Sequence, residues 1–558
     1  MAGPLRGRFE YEEIRGARSV VSSPRVLRGR GAPARLCEGC YLMSESSETL
    51  NGTNPSVRVY PAPEGAVLRD EYAVRVRPLR DAGDGARVDA GDGSVADAGW
   101  REVPVYRVKV NMHDVRESSM CYFDFDGRVE VEVRVKGWYT MYRADIRPLS
   151  LGVEPRLAEA NRLVFTLDKP ANLSVEINRE RQHNLHVFAG SLRCAPDPES
   201  GAEPADVTVP GSLTRPSTLG CYEVNERIEA ALDTGRPRAV VLIEPGYHYL
   251  ADGVWNIPSH TDVIIEGGAV LEGSLVIDHA EDVRVRGRGV LYLADFKRFS
   301  GTSGVVVTFS KNVTLEDLIL INPPHYTVFM GSSRDVAISG VKTFSCEGWS
   351  DGIDMMACAD VRIADCFLRT SDDCIAVYGS RWQYRGGSSD VSVRDCTLWA
   401  DVAHPMMIGT HGDHEHDGDV LERLRFENID VLEHNEYQSG YLGVMAINAG
   451  DKNTVRDVLW RSIRIERISR GRVFDIETKW NTDYNPAPGR LIENVRIEDV
   501  DVTTGGDEEP SLIGGYDAEH PVRGVTIRGM RRDGRACGSL AEANAQVLAN
   551  AEGVELSR

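Results

Sequence analysis

The chain has 558 residues, of which 42% are hydrophobic and 27% are charged, and its formal net charge is −21. This length exceeds one ordinary globular core, so we expect two or more structural units. The negative charge argues against nucleic acid as a partner, because binding to phosphates requires a basic face. The sequence has no run of 18 apolar residues, so we expect no membrane-spanning helix.

The N-terminal residues 1–55 are rich in Arg, Gly, Ser and Pro and show weak periodicity, which predicts an irregular segment. They contain no apolar signal-peptide core, so we expect a cytoplasmic protein unless a secretion signal has been removed. The 11 cysteines fit reduced thiols better than a disulfide framework. Cys37 and Cys40 form a lone C-x-x-C motif without a second pair, so we predict no metal site and no cofactor.

Residues 56–215 form short alternating runs separated by clusters of Gly, Asp and Pro. This spacing predicts an antiparallel β-sandwich. The pattern then changes, because Val224, Ile228 and Leu232 share one face of a helix that Gly235 ends. We expect this helix to cap the open end of the domain that follows, over residues 216–535.

That second domain is built from a repeat in which an acidic residue or Asn precedes an alternating apolar run. Consecutive units begin at Asp262, Asp282, Asn312, Asp335, Asp360 and Asp390, so the spacings are 20, 30, 23, 25 and 30 residues. Such periods predict a right-handed parallel β-helix and an all-β protein, because propeller blades need about 40–50 residues. Residues 536–558 are predicted to form a tail with a short amphipathic helix.

The densest acidic group lies in two successive units, at Asp351 and at the pair Asp372–Asp373. Asp351 and Asp372 are 21 residues apart, about one turn of the solenoid, and stacked turns lie about 4.8 Å apart. We therefore expect three adjacent carboxylates, of which at least one has a raised pKa and acts as a general acid. A purely structural role at turns suits three other aspartates: Asp335, Asp360 and Asp390.

Five short motifs of the sequence together resemble the motifs of one enzyme family. They are "EGGAVLEGS", "NPPHYTV", "SDGID", "SDDCIAV" and "AHPMMIGT", which occur in this order between residues 266 and 410. Residues 216–530 thereby resemble glycoside hydrolase family 28, the polygalacturonases, which have a pectin-lyase-like β-helix. The resemblance implies an inverting glycosidase that acts on a poly- or oligosaccharide, with Asp372 as the general acid. Asp351 and Asp373 would activate the attacking water, and His404 would tune the acid or bind substrate.

The next family motif, Arg-Ile-Lys, grips the carboxylate of the substrate and is altered here. We match it to "RVFDIETKW", which places Asp475 and Glu477 at the Arg and Lys positions and leaves Lys479 two residues further on. A neutral sugar therefore becomes a possible substrate. The sandwich followed by a β-helix is also similar to glycoside hydrolase family 49, whose members cut α-glucans such as dextran.

Further substrate contacts are predicted from proximity to these motifs. The candidates are Asp354, Trp349, Trp382, Tyr378 and His411. The loop with His411, His414 and His416 also carries Asp and Glu, but we interpret it as a solvated polar loop.

Two other function classes remain open at this stage. A polysaccharide lyase would need Arg or Lys as its base, and neither stands in the "SDGID" or "SDDCIAV" words. A non-catalytic carbohydrate-binding solenoid would not require three convergent carboxylates. The sequence leaves open which sugar and linkage is cut, endo against exo action, the oligomeric state and the role of the sandwich.

Overall fold

A computed structural model describes residues 55–79, 99–137, 140–192 and 205–558. The predicted N-terminal segment and the Cys37–Cys40 motif lie outside these ranges. Across the described residues, none of the helices has the length and apolar character to cross a membrane. The described cysteines Cys121, Cys221, Cys346, Cys358, Cys366, Cys374, Cys396 and Cys537 are free, and all but Cys221 are buried.

The first part of the chain forms two packed sheets. Its strands are β1 (Ser56–Val59), β2 (Tyr72–Pro78), β3 (Arg101–Val103), β4 (Tyr106–Val110), β5 (Arg116–Asp126), β6 (Val129–Val135), β7 (Ala144–Arg147), β8 (Arg156–Glu159), β9 (Arg162–Leu167), β10 (Ala171–Ile177) and β11 (Leu185–Ser191), with a 3-10 helix at Leu149–Leu151. One sheet contains β1, β4, β5, β7, β10 and β11, and the other has the order β3-β2-β6-β9-β8. Val74 and Val131 of one sheet share a core with Phe123 and Val187 of the other, so the predicted sandwich is confirmed.

The pairing inside the sandwich departs from the prediction at one place. β5 and β11 run parallel, with Leu185 opposite Ser119, while the other pairs are antiparallel. Alternating patterns reveal which face of a strand is buried, but they do not encode the direction of its neighbour.

The helix predicted before the solenoid is present as α1 (Cys221–Asp233), and Val224 and Ile228 are its buried residues. Both belong to the apolar cluster inside the solenoid, so α1 covers the end of that core. Gly235 follows with φ of 90°, and its N–H donates to the carbonyl of Leu232. Glycine suits this left-handed position because it has no Cβ.

The remaining strands belong mainly to one continuous parallel sheet, which the chain enters before α1. They are β12 (Val207–Val209), β13 (Ser217–Leu219), β14 (Ala239–Ile243), β15 (Gly246–Asn256), β16 (Thr261–Ile265), β17 (Ala269–Asp278), β18 (Glu281–Gly287), β19 (Val290–Tyr292), β20 (Val305–Thr308), β21 (Lys311–Glu316), β22 (Ile319–Ile321), β23 (Val328–Gly331), β24 (Arg334–Ser339), β25 (Lys342–Phe344), β26 (Ile353–Met356), β27 (Ala359–Ala364), β28 (Phe367–Thr370), β29 (Ile375–Tyr378), β30 (Ser389–Arg394), β31 (Thr397–Ala400), β32 (Met406–Gly409), β33 (Val420–His434), β34 (Met445–Ala449), β35 (Thr454–Ile465), β36 (Arg470–Gly471), β37 (Phe474–Thr478), β38 (Leu491–Val502), β39 (Asp507–Glu508), β40 (Ser511–Gly514), β41 (Val522–Arg528), β42 (Arg531–Arg532), β43 (Arg535–Ala536), β44 (Ala545–Val547) and β45 (Ala551–Ser557). β36 and β39 form a separate short pair.

Each coil of this solenoid supplies strands to three columns, and each strand pairs with the strands one coil before and after it. One buried ladder in the first column runs through Val263, Val285, Leu315, Ile338, Ile363, Val393, Phe426, Trp460, Ile497 and Ile527. Stacking therefore builds the apolar core that a single coil lacks. The predicted parallel β-helix and its repeat are confirmed.

The acidic residue or Asn at the start of most repeat units has a backbone role. Asp282, Asn312, Asp335, Asp360 and Asp390 all have positive φ, between 53° and 58°. Asn and Asp tolerate this left-handed conformation better than other non-glycine residues. The structural interpretation of Asp335, Asp360 and Asp390 is thus correct.

One face of the solenoid packs against the sandwich. Tyr106, Met120 and Phe188 of the sandwich share an apolar cluster with Phe344 and Phe367 of the solenoid. These solenoid residues belong to β25 and β28, the strands that lead directly into the acidic turns. The sandwich therefore supports the coils that carry the acidic group.

The predicted C-terminal helix is not formed. The chain continues the solenoid over residues 536–558, where β44 pairs with β40 and β45 pairs with β41. The Ala-rich composition favours a helix locally, but stacking on the exposed edge of the preceding coil overrides this intrinsic preference.

Candidate active site

Three aspartates meet at the turns between the second and third columns of the solenoid. Asp372 and Asp373 lie between β28 and β29, and Asp351 lies one coil earlier, between β25 and β26. The N–H of Gly352 donates to the carbonyl of Asp373 at 2.8 Å, which sets Asp351 beside Asp373. One carboxylate oxygen from each of the three residues lies within 4.8 Å of the other two. The predicted juxtaposition is therefore present.

Asp372 is the most accessible of the three carboxyl groups, because Asp351 and Asp373 are fully buried. Its Oδ2 accepts the backbone N–H of Trp349 at 2.8 Å, and its Oδ1 accepts the N–H of Asp373 at 3.1 Å. Burial and the charge of Asp373 raise the pKa of Asp372 to about 7, although these two N–H groups oppose the shift. Asp372 therefore holds a proton that it can donate near neutral pH.

Asp373 is held by the predicted residue His404. Asp373 Oδ1 accepts both the backbone N–H of His404 at 3.0 Å and its ring Nδ1 at 2.7 Å. His404 Nε2 faces the carbonyl oxygen of Tyr441 at 3.1 Å. Because both partners are acceptors, both ring nitrogens act as donors and the ring is an imidazolium. Burial lowers the pKa of His404, but the charge and hydrogen bond of Asp373, together with the charges of Glu436 and Asp372, outweigh it, and the net shift is upward.

Asp354, another of the predicted residues, lies on β26 at the floor of the site and is fully buried. Both of its carboxylate oxygens, and Oδ1 of Asp351, lack a hydrogen-bond partner among the described residues. Burial and neighbouring carboxylates raise the pKa of both groups well above the ordinary value. For Asp351 the neighbours include Asp354, Asp372 and Asp373, so the site concentrates unpaired acidic oxygens.

Arg381 is a site residue that the sequence did not reveal. Its Nη1 donates to the hydroxyl of Tyr326 at 2.9 Å, and its guanidinium lies 4.4 Å from the ring of Trp382. Its charge opposes the upward pKa shifts of Asp351 and Asp354. Arg381 follows β29 in a segment that contains none of the family motifs. The sequence alone therefore does not place it at the site.

The predicted aromatic contacts also surround the cluster. Trp349 and Trp382 are about half exposed, at 49% and 46%. Tyr378 is buried, and its hydroxyl donates to Asp373 Oδ2 at 3.1 Å. The ring of His411 lies 5.1 Å from that of Tyr378, and burial together with Arg381 lowers the pKa of His411 well below its usual value. His411 is therefore a neutral ring at the edge of the site.

The strand proposed above as the Arg-Ile-Lys counterpart lies one coil further away than assumed. The strand that stacks directly on "MMIG" of β32 is β34, with Met407 opposite Ala446 and Ile408 opposite Ile447. Aligning Ile447 with the isoleucine of the motif places Ala446 and Asn448 where Arg and Lys are expected. Neither residue is a cation. The match fell on β37 because "RVFDIETKW" contains the Arg and Lys that β34 lacks.

Asp475, Glu477 and Lys479 lie on the following coil, where Asp475 pairs with Ala446 and Glu477 with Asn448. Lys479 Nζ is bonded to Asp475 Oδ2 at 3.0 Å, to Glu477 Oε2 at 2.9 Å and to the carbonyl oxygen of Gly440 at 2.6 Å. The three residues thus form an ionic group in which Lys479 has an acceptor for each of its three N–H donors.

The sandwich contributes directly to the turn that carries Asp372. The N–H of Met112 donates to Ser371 Oγ at 3.1 Å. Arg369, fully buried in β28, forms two bonds to Asp401 at 2.8 and 3.1 Å and one to Asn184 of the sandwich at 2.9 Å. Removing one partner of such a buried pair costs about 3–5 kcal/mol, so these contacts fix the turn.

Two acidic groups in the described residues have the spacing of a cation site. One is the aspartate trio itself, and the other is the group of Asp413, Glu415 and His416, whose ligand atoms lie within 4.8 Å of one another. His416 Nδ1 contacts Asp413 Oδ2 at 2.9 Å, and His416 and Glu415 are exposed. The second group fits the predicted solvated loop.

The arrangement offers a proton donor, Asp372, beside the carboxylate of Asp373. Asp372 is poised to protonate an oxygen, and the carboxylate of Asp373 is fixed by an imidazolium. Inverting glycosidases separate their two carboxyl groups by about 6.5–9.5 Å. The oxygen separation here is at most 4.8 Å. The stacking of adjacent coils sets Asp351 beside Asp372 and Asp373 at this short distance, which lies below the range usual for inverting enzymes.

The parallel solenoid with its three-aspartate turn has the architecture that the sequence resemblance implied. The family model described as Glycosyl hydrolases family 28 matches residues 297–547. This region includes all three aspartates and His404. The resemblance seen in the sequence is thereby confirmed.

Relatives of this region are polygalacturonases by name. A polygalacturonase of Juniperus ashei is 31% identical over 140 residues, which is 25% of this chain and 25% of that protein. A probable exopolygalacturonase B of Aspergillus terreus is 23% identical over 208 residues, which is 35% of this chain and 45% of that protein. The chain therefore matches less than half the length of these relatives.

A solved structure shares the architecture of both parts of the chain. Dex49A from Penicillium minioluteum aligns with a TM-score of 0.54 at 14% identity, over 90% of this chain and 96% of that one. At this identity the likeness concerns the fold alone. The expected relation to a family 49 architecture, a sandwich followed by a solenoid, is confirmed at that level.

Proposed function

We propose that this protein is a glycosidase that hydrolyses an O-glycosidic bond in a pectic or related poly- or oligosaccharide. The observation that carries the proposal is the cluster of Asp351, Asp372 and Asp373, in which Asp372 has a pKa of about 7 beside the Asp373–His404 ion pair. The family 28 match over residues 297–547 and the names of the relatives support the same activity.

In the proposed mechanism Asp372 donates its proton to the glycosidic oxygen as the bond to the anomeric carbon breaks. Water attacks that carbon and passes a proton to Asp373, while Asp351 orients the water. Asp373 then releases its proton to solvent and Asp372 takes one up, which restores both groups. A general acid with a pKa near the working pH combines sufficient protonation with sufficient acidity. No cofactor enters any of these steps.

A lyase reaction is the less suitable alternative for this site. It would require a basic Lys or Arg that abstracts a proton from the sugar ring. Lys479 is bonded to three acceptors, and Arg381 is a guanidinium that remains protonated in proteins.

A hydrolase of neutral α-glucans is a second candidate with an observation in its favour. The coil next to His404 presents Ala446 and Asn448 in place of cations that would bind a uronate. The substrate panel must therefore include neutral glycans.

The test is a reducing-sugar assay on oligogalacturonides, rhamnogalacturonan, dextran and arabinan, with Asp372→Asn as control. We expect sugar release from at least one glycan by the natural protein and none by the variant. Release with equal rates by both proteins, or an unsaturated product absorbing in the ultraviolet, would contradict the proposal. Proton NMR of the first product gives the stereochemistry, and we expect inversion, as in family 28.

A further inference from the structure

A cavity of about 460 Å³ lies beyond the aspartate cluster along the solenoid. Its lining comprises Gln438, Ser439, Gly440, Glu477, Thr478, Lys479, Trp480, Asn481, Asp483, Gly515 and Tyr516. Its strand β37 is three coils from β29, through β32 and β34. At about 4.8 Å for each coil, the cavity begins about 15 Å from the catalytic turn.

The wall between the cavity and the aspartates is continuous. The ring of Tyr441 lies 4.7 Å from that of His404 and 5.2 Å from that of Tyr484. The hydroxyl of Tyr484 donates to Gln438 Oε1 at 2.8 Å, and Gln438 lines the cavity. Asp372 contributes to a raised pKa of Tyr484, after burial. These contacts connect the cavity to the aspartate cluster along one side of the solenoid.

The cavity has no cation available for a carboxylate. An ammonium group has three N–H donors, and those of Lys479 are matched by Asp475, Glu477 and the carbonyl of Gly440. The nearby Arg472 is bonded to Glu509 Oε2 at 2.9 Å. The ionic group of Lys479 therefore has no free N–H donor for a uronate, whereas sugar hydroxyls can donate to its carboxylate oxygens.

The cavity nevertheless has features that suit an uncharged sugar. Trp480 and Tyr516 are 46% and 47% exposed, and their ring centroids are 6.2 Å apart. Aromatic faces of this kind pack against apolar faces of ligands. Asn481 and Gln438 supply amide groups that can both donate and accept hydrogen bonds.

The opposite end of the cleft has the reverse charge. The guanidinium of Arg298 lies 4.8 Å from the ring of Trp349, and its buried Nε has no partner among the described residues. Arg381 forms no ion pair within 4.0 Å in the described part of the chain, and its side chain donates a hydrogen bond to the hydroxyl of Tyr326. Burial and these two arginines lower the pKa of His325 to about 4, so that ring is neutral. Two cations therefore remain available on this side.

We propose that the cleft selects a glycan of mixed charge, with a uronate on the Arg298–Arg381 side and an uncharged sugar in the Glu477–Lys479 cavity. This proposal rests on the glycosidase function and specifies its substrate class. A uniform polyuronide would bring a carboxylate against Asp475 and Glu477, and a neutral glucan would leave the two arginines without an anion.

The experiment compares kcat/KM for three oligosaccharides: a de-esterified oligogalacturonide, an alternating rhamnose–galacturonate oligomer and a neutral α-glucan. We expect the alternating oligomer to exceed both others by about 100-fold or more, because each mismatched charge loses an interaction worth about tenfold or more. A uniform uronide that is cleaved as fast as the alternating oligomer would overturn the proposal.

The variant Glu477→Gln tests whether this cavity, and not another part of the cleft, selects substrates by charge. The substitution removes one carboxylate from Lys479, so we expect the ratio of kcat/KM for the uniform uronide to kcat/KM for the alternating oligomer to rise by about tenfold. Glu498→Gln is the matched control, because Glu498 pairs with Arg461 on the first column, away from the cavity. If both variants leave this ratio unchanged, the cavity does not select by charge.

Arg298→Gln tests the other end of the cleft. We expect kcat/KM for the alternating oligomer to fall by about tenfold, mainly through KM, and an unchanged KM would contradict the uronate assignment on this side.

If the protein cleaves none of the three oligosaccharides, the glycosidase proposal fails independently of the charge pattern. Calorimetric affinities of the same oligomers for Asp372→Asn protein then still decide the charge pattern, with tighter binding of the alternating oligomer expected.

Discussion

The solenoid carries two groups of close carboxylates, and their differences are more informative than their similarity. In both groups one carboxyl has a pKa of about 7, Asp372 in the first and Glu477 in the second, because of burial and an acidic neighbour. The pKa alone would make either a candidate acid. The partners distinguish them: Lys479 bonds to both carboxylates of its group, whereas His404 bonds to Asp373 and leaves Asp372 with backbone donors only.

A raised pKa therefore indicates burial in both groups. Whether such a carboxyl acts as an acid depends on whether a substrate atom can receive its proton. Asp372 is partly accessible, and its carboxyl group is bonded to backbone N–H groups and to no cation among the described residues. Glu477 is bonded to Lys479, so we propose that its carboxylate binds ligands and does not transfer a proton. Substitutions in the two groups should therefore affect different kinetic parameters.

The largest expected effect separates the two groups by chemistry. Asp372→Asn should lower kcat by about 10³-fold or more, since general acid catalysis contributes about 10²–10⁴-fold. Glu477→Gln should change kcat on the preferred substrate by less than about threefold. Both are measured by reducing-sugar release at substrate saturation. Equal losses of kcat in the two variants would remove the distinction drawn here.

His404→Gln should produce the next largest effect. The variant loses the charged donor to Asp373, and a hydrogen bond to a charged group is worth about 1.5–3 kcal/mol, which corresponds to a fall in kcat of about 10–100-fold. The exposed His416→Gln, which alters a solvated histidine–aspartate pair, is the control. A wild-type kcat in His404→Gln would show that the ion pair has no part in catalysis.

The pH dependence of kcat/KM should show which carboxyl controls the reaction. Asp372 must be protonated to act, so activity should fall about tenfold for each pH unit above its pKa of about 7. The same limb should persist in Glu477→Gln, although Glu477 titrates in the same range. Disappearance of the alkaline limb in Glu477→Gln would instead assign the control to the second group.

A smaller effect is expected on stability. The pKa of Asp372 is raised in the folded protein from an ordinary 3.8 to about 7, so the folded chain holds a proton that the unfolded chain has released between these values. Stability therefore falls as the pH rises through this window. Asp372→Asn should raise Tm by on the order of 2 °C at pH 8 and leave it unchanged at pH 3.5, as measured by calorimetry. A stabilisation that is equal at both pH values would exclude this cause.

Much of the fold could be predicted from sequence because each coil repeats the same local requirement. The left-handed residues at Asp282, Asn312, Asp335, Asp360 and Asp390 mark the coils, and apolar alternation marks the strands. The C-terminal coil escaped prediction because β44 and β45 carry alanines that favour helix in isolation. Their conformation is decided by the neighbouring coil, which local patterns do not show.

The site was predicted where it follows from stacking and missed where it follows from long-range contacts. Asp351, Asp372 and Asp373 are brought together by the coil period. The state of Lys479 could not be predicted, since it depends on Gly440, which lies 39 residues earlier. Arg381 lies after β29 in a segment without a family motif, and the Arg-Ile-Lys match fell on β37 because β34 contains neither Arg nor Lys.

The most direct test of the central claim uses a substrate whose leaving group needs no proton. Once the panel has identified the sugar, wild-type and Asp372→Asn protein are compared on the natural oligosaccharide and on the glycosyl fluoride of the same sugar. If Asp372 is the general acid, the variant loses about 10³-fold on the oligosaccharide and less than about tenfold on the fluoride, because fluoride departs with little acid assistance. An equal loss on both substrates would show that Asp372 does not protonate the leaving oxygen and would contradict the assignment.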